Sequence, residues 1–474
     1  MLSLILFYGL AAVVAVGGLL YLVAAPIVVT THLARLDRIM PPLVASLACA
    51  LLLAGGLLNE RNLRFVSYGA AFVEAEGSYL YFWASRAASV FLLATAVPYL
   101  VGKFLVFVRS NERVSWPVVL TLIFGVASYL LPAFFGTNPR FDHRLVYPLV
   151  IVLVVLVGAP QIRETVSIIK WALAAFFAIS LSFIFIDQSR VLAPGFVGFL
   201  PGVSFRFWGL ANHANAIGPM AGACLLLEAF VPSRTRLASG VIAVLALATL
   251  VLSQSKTAML ATVIGVLVIL YIRSMKRSQS DNRLTQHTLH KGQIAVLIGV
   301  IAVIGALLVA SLLGVLEPAL ARFGSTKMAS EVQTLTGRDV IWSVAFEEWL
   351  QNPWFGYGAG LWNAEYRRQI GLNYAFHAHN QFVQSLAESG LFGAISLVVL
   401  VCALGLASLK IRRPTGGASV ALVGFLFVRG ITEVPMRPSG IGTGEMLLLI
   451  ALFAMWRLSR LPEDAVHAAV SDRK

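Results

Sequence analysis

The sequence predicts an all-α integral membrane protein, a single polytopic bundle over residues 1–474 with about 12 membrane-spanning helices. Hydrophobic residues make up 58% of the 474 positions and charged residues 12%, and the mean hydropathy is +0.83. A soluble core does not require so much apolar surface. Apolar stretches of about 20 residues, the length that crosses a bilayer, recur along nearly the whole chain and leave no room for a separate soluble domain.

Hydropathy divides the chain into roughly 11 to 14 spans. The first apolar run has no basic residue ahead of it and is longer than the core of a signal peptide, so we expect it to remain as a helix. Segment 65–86 holds Glu74, Glu76 and Arg86 among aromatic residues, and it either spans, lies in the interface or dips back. The predicted spans are 2–29, 41–58, 87–108, 116–135, 145–159, 165–186, 214–231, 237–253, 257–272, 294–316, 382–409, 417–432 and 441–457.

The charge pattern orients the second half of the chain. The net charge is +14, from 36 Lys and Arg against 22 Asp and Glu. Membrane proteins retain basic loops in the cytoplasm, and no soluble basic module is present to bind nucleic acid. We therefore predict that segments 187–213, 253–257, 317–381 and 433–440 face outward. The basic loops that we expect in the cytoplasm hold Arg234 and Arg236, then Arg273 to Lys291, then Lys410 to Arg413, and finally Arg457 and Arg460, followed by a tail over 458–474.

The largest outward segment, 317–381, is predicted to form an external subdomain. It carries five Lys or Arg and six Asp or Glu, so it lacks the basic excess of a cytoplasmic loop despite its length. Polar and charged motifs that suggest chemistry are concentrated in this segment and in the other outward loops.

Two of these motifs precede predicted helices. Residues 204–215 place Arg206 and Asn215 on either side of Gly209, which permits a tight turn. This pattern is typical of a ligand-facing loop, or of an interfacial loop in which an asparagine caps the next helix. Residues 255–257 read Ser-Lys-Thr, and Lys256 with the helix that Thr257 would open can hold phosphate oxygens. The alternative is an ordinary cap with a solvated lysine.

Thr336 and Asp339 have capping-box spacing, which predicts a helix start that places Arg338 in the first turn. Cations are disfavoured at that end of a helix, so a binding partner explains Arg338 better than a local role does. The helix should end near Pro353, and residues 356–360 should form a turn.

A histidine pair, His377 and His379, comes before the next predicted span. A helix that begins near His379 would place Asn380, Gln384 and Glu388 in one inward polar stripe. Two histidines without further ligands do not predict a metal site. A histidine suits a base for a sugar hydroxyl, and a structural histidine that holds the loop is the alternative. Arg429, with Glu433 and Arg437, is a further candidate near the outer end of a late helix, or part of an interfacial salt-bridge cluster.

Together, these motifs resemble the O-antigen polymerase and ligase superfamily, whose members transfer glycans from undecaprenyl pyrophosphate at the outer face of the bacterial inner membrane. The resemblance covers about residues 200–400. The matching positions are Arg206, Gly209, His213 and Asn215; Ser255-Lys256-Thr257; Thr336-Gly-Arg338 and Trp342; Asn352 to Gly358; and His377 to Asn380, Glu388, Gly390 and Gly393.

The resemblance implies roles for individual residues. Arg338 and Lys256 would bind the lipid pyrophosphate, and His379 is preferred as the catalytic histidine because it directly precedes Asn380. Lys256 stands where ligase-like members usually have arginine, so it lacks the bidentate fork. The candidate catalytic residues are His379 and Arg338, and the candidate substrate-binding residues are Lys256, Arg206, His377, Asn380, Asn215, Glu388 and Arg429.

The implied activity is that of a periplasm-facing glycosyltransferase in the inner membrane. The undecaprenyl-pyrophosphate-linked donor carries its own driving force, so we expect no cofactor or metal and an inverting displacement. The acceptor is a glycan or lipid A-core, membrane lipid surrounds the protein, and other polysaccharide assembly proteins are candidate partners. The Ser-Lys-Thr variant and the loop from Arg206 to Asn215 resemble exopolysaccharide polymerases and slightly favour a polymerase, with an O-antigen ligase as the alternative. A transporter is the remote alternative, because it would need polar sites at the midplane and typically an internal repeat.

Overall fold

A computed structural model describes residues 21, 24–65, 78–110, 115–196, 198, 200, 202–281, 326–437 and 440–470. The described chain is a bundle of α-helices with one short antiparallel pair, β1 (Leu192–Pro194) and β2 (Phe205–Phe207), in which Ala193 lies opposite Arg206. The helices are α1 (Leu33–Leu58), α2 (Tyr79–Ser110), α3 (Trp116–Phe135, with a π turn at Val126–Leu130), α4 (Val146–Val157), α5 (Ile162–Ile186), α6 (Ala214–Phe230), α7 (Arg236–Ser253), α8 (Lys256–Asp281), α9 (Thr326–Gln351), α10 (Ala364–Gln369), α11 (Gln381–Lys410), α12 (Ala418–Thr432), α13 (Gly444–Leu458) and α14 (Glu463–Val470).

Seven of the described helices are long and apolar enough to cross a membrane, namely α1, α2, α3, α5, α7, α11 and residues Lys256–Met275 of α8. The expectation of a helical multi-pass membrane protein is therefore confirmed. The predicted span 294–316 lies outside the described residues, and 2–29 lies largely outside them. Each of the other predicted spans falls on a helix, and the total of about 12 stays a prediction. Of segment 65–86, residues 79–86 belong to α2, and residues 66–77 are not described.

The described bundle has α6 near its centre, and most residues of α6 are buried on every side. Gly222 lets α6 approach its neighbours closely, because a Cβ there would lie 2.2 Å from the Thr262 hydroxyl and 2.9 Å from the Phe425 ring. A buried ion pair joins α5 to α6, with 2.6 Å between Lys170 Nζ and Glu228 Oε2. A buried charge is tolerated only when it is paired and hydrogen-bonded.

The described basic loops and the candidate residues lie at different ends of the bundle. At one end, called the basic end, Arg273 lies against Gly416 and donates to the Ala229 carbonyl, and Arg457 donates to the Gly158 carbonyl. The opposite ends of the same helices hold residues 213–215, 253–257, 379–381 and 432–433, which we call the motif end. The basic loops and the candidate residues that the described chain contains are therefore separated along the bundle axis.

The predicted start of the helix around Arg338 is wrong. Helix α9 begins at Thr326, so Thr336 and Asp339 do not form a capping box and Arg338 lies in the helix interior. Residues 327–335 include Lys, Met, Ala, Glu, Gln and Leu, which have high helix propensity and extend the helix toward its N-terminus. The helix-dipole argument for Arg338 no longer applies, and its role has to be judged from its neighbours. The predicted end is confirmed, because α9 stops at Gln351.

The predicted turn at residues 356–360 docks onto a break in α11. Gly390 interrupts that helix with φ +60° and ψ −160°, a combination that only glycine adopts readily. The break exposes backbone groups that would be costly to leave unpaired in apolar surroundings. Four backbone hydrogen bonds with N···O distances of 2.8–3.4 Å satisfy them: Tyr357 N to Ala387 O, Gly358 N to Glu388 O, Leu391 N to Pro353 O and Phe392 N to Trp354 O.

We expect Gly390→Ala to weaken this docking strongly. The added Cβ would lie 2.4 Å from the Trp354 carbonyl carbon, and the φ angle itself costs about 1–3 kcal/mol for a non-glycine residue. Thermal unfolding in detergent, followed by tryptophan fluorescence, should show a lower midpoint. Gly405→Ala is the matched control in the same helix, because a Cβ there meets no heavy atom within 4 Å. Equal midpoints for the two variants would contradict the docking.

Candidate functional site

The carboxylate of Glu433 is the meeting point of the motif end. Glu433 follows α12 as its C-cap, where its backbone N–H bonds the Arg429 carbonyl, and its side chain is only 10% exposed. Its Oε1 accepts a hydrogen bond from Asn215 Nδ2 at 3.1 Å. Its Oε2 lies 3.2 Å from His379 Nδ1 and 3.5 Å from His377 Nε2. One carboxylate at the end of α12 therefore contacts residues from two other parts of the chain.

The loop before α11 holds both histidines in place. Asn380 caps the helix, because its Oδ1 accepts the N–H groups of Phe382 and Val383, and its Nδ2 donates to the Ile431 carbonyl. The predicted helix start near His379 is confirmed. His379 has φ +49°, a left-handed conformation that is uncommon outside glycine and points to a functional constraint.

Ala378, which lies between the two histidines, is fixed on both sides. Its carbonyl accepts the Trp342 indole N–H at 2.7 Å, and its N–H donates to Gln384 Oε1 at 2.7 Å. The predicted polar stripe is confirmed as buried, with Asn380, Gln384 and Glu388 each at most 6% exposed. Of these three, Asn380 and Gln384 serve the histidine loop directly.

Asn215 is oriented from the other side by Arg206. The Arg206 Nη2 donates to Asn215 Oδ1 at 2.7 Å, and its Nε donates to the Ser253 carbonyl at 3.0 Å. Residue His213, not an asparagine, caps α6, and its Nδ1 accepts the Asn215 N–H. The loop 204–215 thus places Asn215 against Glu433 and Arg206 against Asn215.

The Ser-Lys-Thr motif joins the site through Arg429. The buried guanidinium of Arg429 donates to Thr257 Oγ1 at 3.2 Å and to the Asn215 carbonyl at 3.1 Å. Helix α8 begins at Lys256, one residue earlier than predicted, and the Lys256 side chain is exposed at the first helical position. The motif therefore has one inward residue, Thr257, and one cation at the surface of the motif end.

Arg338 approaches the same centre from α9. It lies one turn before Trp342, whose indole contacts the histidine loop, so the two side chains share a helix face. Its charge acts on both Glu433 and His377. Burial lowers the pKa of Arg338, and Glu433 opposes this shift. Within the described residues, its guanidinium makes no hydrogen bond, in contrast to the fixed guanidiniums of Arg206 and Arg429.

Glu388 belongs to a different cluster. Its Oε2 lies 2.8 Å from Arg437 Nε, and Arg437 also donates to the Ala359 carbonyl. These contacts lie beside the docked turn and brace it. No described contact joins Glu388 to the histidines or to Glu433.

The electrostatics of the centre favour an anionic ligand. Burial alone would raise the pKa of Glu433, but the hydrogen bond with His379 and the charge of Arg429 outweigh it and hold that pKa well below its usual value. Burial, reinforced by the neighbouring His379, lowers the pKa of His377, so this imidazole is neutral near pH 7. Three arginines, Arg206, Arg338 and Arg429, lie around the Glu433 carboxylate, and their positive charge suits phosphate oxygens.

The two histidines and Glu433 are close enough together to hold a metal ion, because ligand atoms of His377, His379 and Glu433 lie within 4.8 Å of one another. The surrounding guanidiniums argue against a divalent cation, since each adds unfavourable Coulomb energy at short range. A hydrogen-bonded histidine–carboxylate cluster fits the charges better.

Part of the chain that forms this site is similar to a known protein family. Residues 241–398 match the O-antigen ligase family model. This match covers about a third of the chain and supports the resemblance to the O-antigen polymerase and ligase superfamily. The O-antigen ligase match contains Lys256, Arg338, His377 and His379, whereas Arg206, Asn215, Arg429 and Glu433 lie outside it.

A curated relative in Rhizobium meliloti (strain 1021), the exopolysaccharide production protein ExoQ, is 30% identical over 118 residues. The match covers 21% of this chain and 26% of that relative. The shared segment is therefore about a quarter of the relative's length, and the resemblance to O-antigen polymerases and ligases is confirmed at the level of the superfamily.

Of the residues at this centre, Glu433 was the hardest to identify from the sequence. It was only a secondary candidate there, beside Arg429. The sequence feature that points to it is its position: Glu433 is an acidic residue at the end of a late apolar helix, where a charge needs a partner.

We expect the Glu388–Arg437 pair to stabilise the fold. Arg437→Met leaves the Glu388 carboxylate buried without its partner, which typically costs about 3–5 kcal/mol. The thermal midpoint in detergent should fall, and the double variant Glu388→Gln/Arg437→Met should recover most of the loss because no charge remains unpaired. A double variant no more stable than Arg437→Met would show that the two side chains are not coupled.

Proposed function

We propose that this protein is a glycosyltransferase that moves an oligosaccharide or polysaccharide from undecaprenyl pyrophosphate to a sugar hydroxyl. The observation that carries the proposal is the histidine pair on the Glu433 carboxylate, with Arg206, Arg338 and Arg429 around it at one end of the bundle. The match to the O-antigen ligase family includes the histidines and Arg338.

The arginines suit the leaving group. As the bond between the anomeric carbon and the pyrophosphate oxygen breaks, its electron pair passes to that oxygen and negative charge grows there. Arg338, whose guanidinium is not committed to a described hydrogen bond, is the best-placed cation to meet this charge, and Lys256 adds a second at the surface. A well-placed donor of this kind contributes about 3–4 kcal/mol to transition-state stabilisation.

His379 is the base in this proposal. It removes the proton from the acceptor hydroxyl while the hydroxyl oxygen forms the new bond to the anomeric carbon, which inverts its configuration. General-base catalysis of this type contributes about 10²–10⁴-fold to the rate. The energy of the donor drives the reaction, so the proposal needs no cofactor.

The location follows from charge. Basic loops of membrane proteins stay in the cytoplasm, and the basic end lies opposite the site. We therefore place the site at the periplasmic face of the bacterial inner membrane, and we expect segment 317–381 to lie on that side.

Two acceptors are considered, and one observation favours each of them. The similarity to an exopolysaccharide production protein favours a polymerase, which extends another lipid-linked repeat. The family description favours an O-antigen ligase, which delivers the chain to lipid A-core. We favour the polymerase slightly. A transporter is the least supported, because the candidate residues converge on one end of the bundle.

We expect His379→Ala to lower kcat for glycan transfer by about 10²–10⁴-fold, because the base is lost. Arg338→Ala should lower it by about 10²–10³-fold, because the leaving group loses a cation. The measurement is transfer by purified protein in lipid nanodiscs with an undecaprenyl-pyrophosphate oligosaccharide donor. His143→Ala and Arg368→Ala, both at exposed positions, are matched controls that should keep wild-type rates. Near-normal rates in either test variant would remove that residue from the mechanism.

The acceptor is tested by adding lipid A-core to the same reaction. A ladder of products without lipid A-core supports the polymerase. A product that forms only with lipid A-core would overturn that preference in favour of the ligase.

A further inference from the structure

We infer that Glu433 is a positioning residue that sets the tautomer of His379 through the directed chain Arg206, Asn215, Glu433, His379, and thereby leaves His379 Nε2 as the proton acceptor. The inference rests on the proposed glycosyl transfer, which it makes more specific. It assigns the base to one histidine of the pair, and it gives Arg206 and Asn215 a role in orientation.

The direction of the chain begins at Arg206. A guanidinium has only donors, so the Asn215 atom that lies 2.7 Å from Arg206 Nη2 must be the carbonyl oxygen. The Asn215 amide nitrogen is then the atom that faces Glu433 Oε1, at 3.1 Å, and it donates there. The usual ambiguity of an asparagine amide is resolved by its partner.

The Asn215 contact leaves Glu433 Oε2 for the histidines. His377 Nδ1 accepts the backbone N–H of His379 at 3.1 Å, so the proton of the neutral His377 ring lies on Nε2, which is 3.5 Å from Oε2. The Nδ1 lone pair is used in that hydrogen bond and Nε2 carries the proton, so this side chain has no lone pair to offer a substrate. His377 therefore supports the cluster and does not act as the base.

His379 is in the opposite situation. Its Nδ1 lies 3.2 Å from Glu433 Oε2, and an ionised carboxylate only accepts hydrogen bonds, so the ring proton lies on Nδ1. In the neutral imidazole, Nε2 then keeps its lone pair. A carboxylate that holds a catalytic imidazole in its reactive tautomer acts in the same way in serine hydrolases.

Several other charged and titratable groups lie around Glu433 and His379. Glu433 and Arg429 come from α12 and its cap, Arg338 comes from α9, His377 from the same loop and His213 from the start of α6. Arg206 and Arg429 also contact Asn215. The charge of Glu433 favours a cationic imidazole, whereas the charges of these arginines disfavour it. A substitution that changes the hydrogen-bond pattern is therefore a sharper test than a change of charge alone.

Glu433→Gln is that substitution. Asn215 Nδ2 still requires an oxygen opposite it, so the new amide group turns its NH₂ toward the histidines. That NH₂ donates to His379 Nδ1 and moves the ring proton to Nε2, where it blocks the base. We expect kcat to fall about 10²–10⁴-fold while KM for the donor stays within about threefold.

Two further variants complete the kinetic test. Glu433→Asp keeps an acceptor-only carboxylate, so its kcat should be at least about tenfold higher than that of Glu433→Gln. Glu365→Gln, at an exposed position on α10, is the matched control and should keep the wild-type rate. Wild-type kcat in Glu433→Gln, or equal losses in the Gln and Asp variants, would overturn the inference.

A second measurement does not depend on transfer. Diethylpyrocarbonate modifies imidazole nitrogens that have a free lone pair, and the side chains of His377 and His379 are similarly exposed, at 32% and 29%. The folded protein is modified first, and fragmentation mass spectrometry of its peptides then locates the adduct. Modification of His379 should be faster than that of His377, and this preference should be lost in Glu433→Gln. Equal reactivity in the wild type would overturn the tautomer assignment. Selective reactivity in a protein that transfers no glycan would reject the proposed function and leave the assignment intact.

Discussion

The buried carboxylate of Glu433 is the interaction on which the motif end depends. Removing an ionised carboxylate from water is costly unless charges and hydrogen bonds compensate it. Here, the compensation comes from Asn215, from the histidine loop and from the charge of Arg429. Because these partners lie on α6, before α11 and on α12, satisfying one side chain fixes the relative positions of three helix ends.

A second constraint acts on the backbone. The break at Gly390 would leave peptide groups unpaired within a helix that is long and apolar enough to span a membrane, and the turn at residues 353–358 supplies the missing hydrogen bonds. This turn directly follows α9, the helix that carries Arg338 and Trp342. The docking of the turn therefore helps to hold α9 beside the histidine loop, where the Trp342 indole bonds the Ala378 carbonyl.

Local features of the fold could be predicted from the sequence, because local physics decides them. Apolar runs of membrane-spanning length marked the helices, and the polar residues at 379–381 marked the start of α11, where Asn380 is the cap. The capping box at Thr336 was a false signal, because strong helix formers before it extend α9. Glu433 could not be chosen with the histidines, since 54 residues separate it from His379 and only the packing of α11 against α12 brings them together.

The central claim, that the site breaks a sugar–pyrophosphate bond, is tested most directly by the lipid product. Purified protein in nanodiscs would be incubated with an undecaprenyl-pyrophosphate oligosaccharide and an acceptor glycan, and the lipids would be analysed by mass spectrometry. Glycosyl transfer predicts that free undecaprenyl pyrophosphate appears in proportion to the extended glycan, and that neither appears with His379→Ala. A donor that remains intact, or that is only moved to the other side of a sealed bilayer, would contradict a transferase and point to transport.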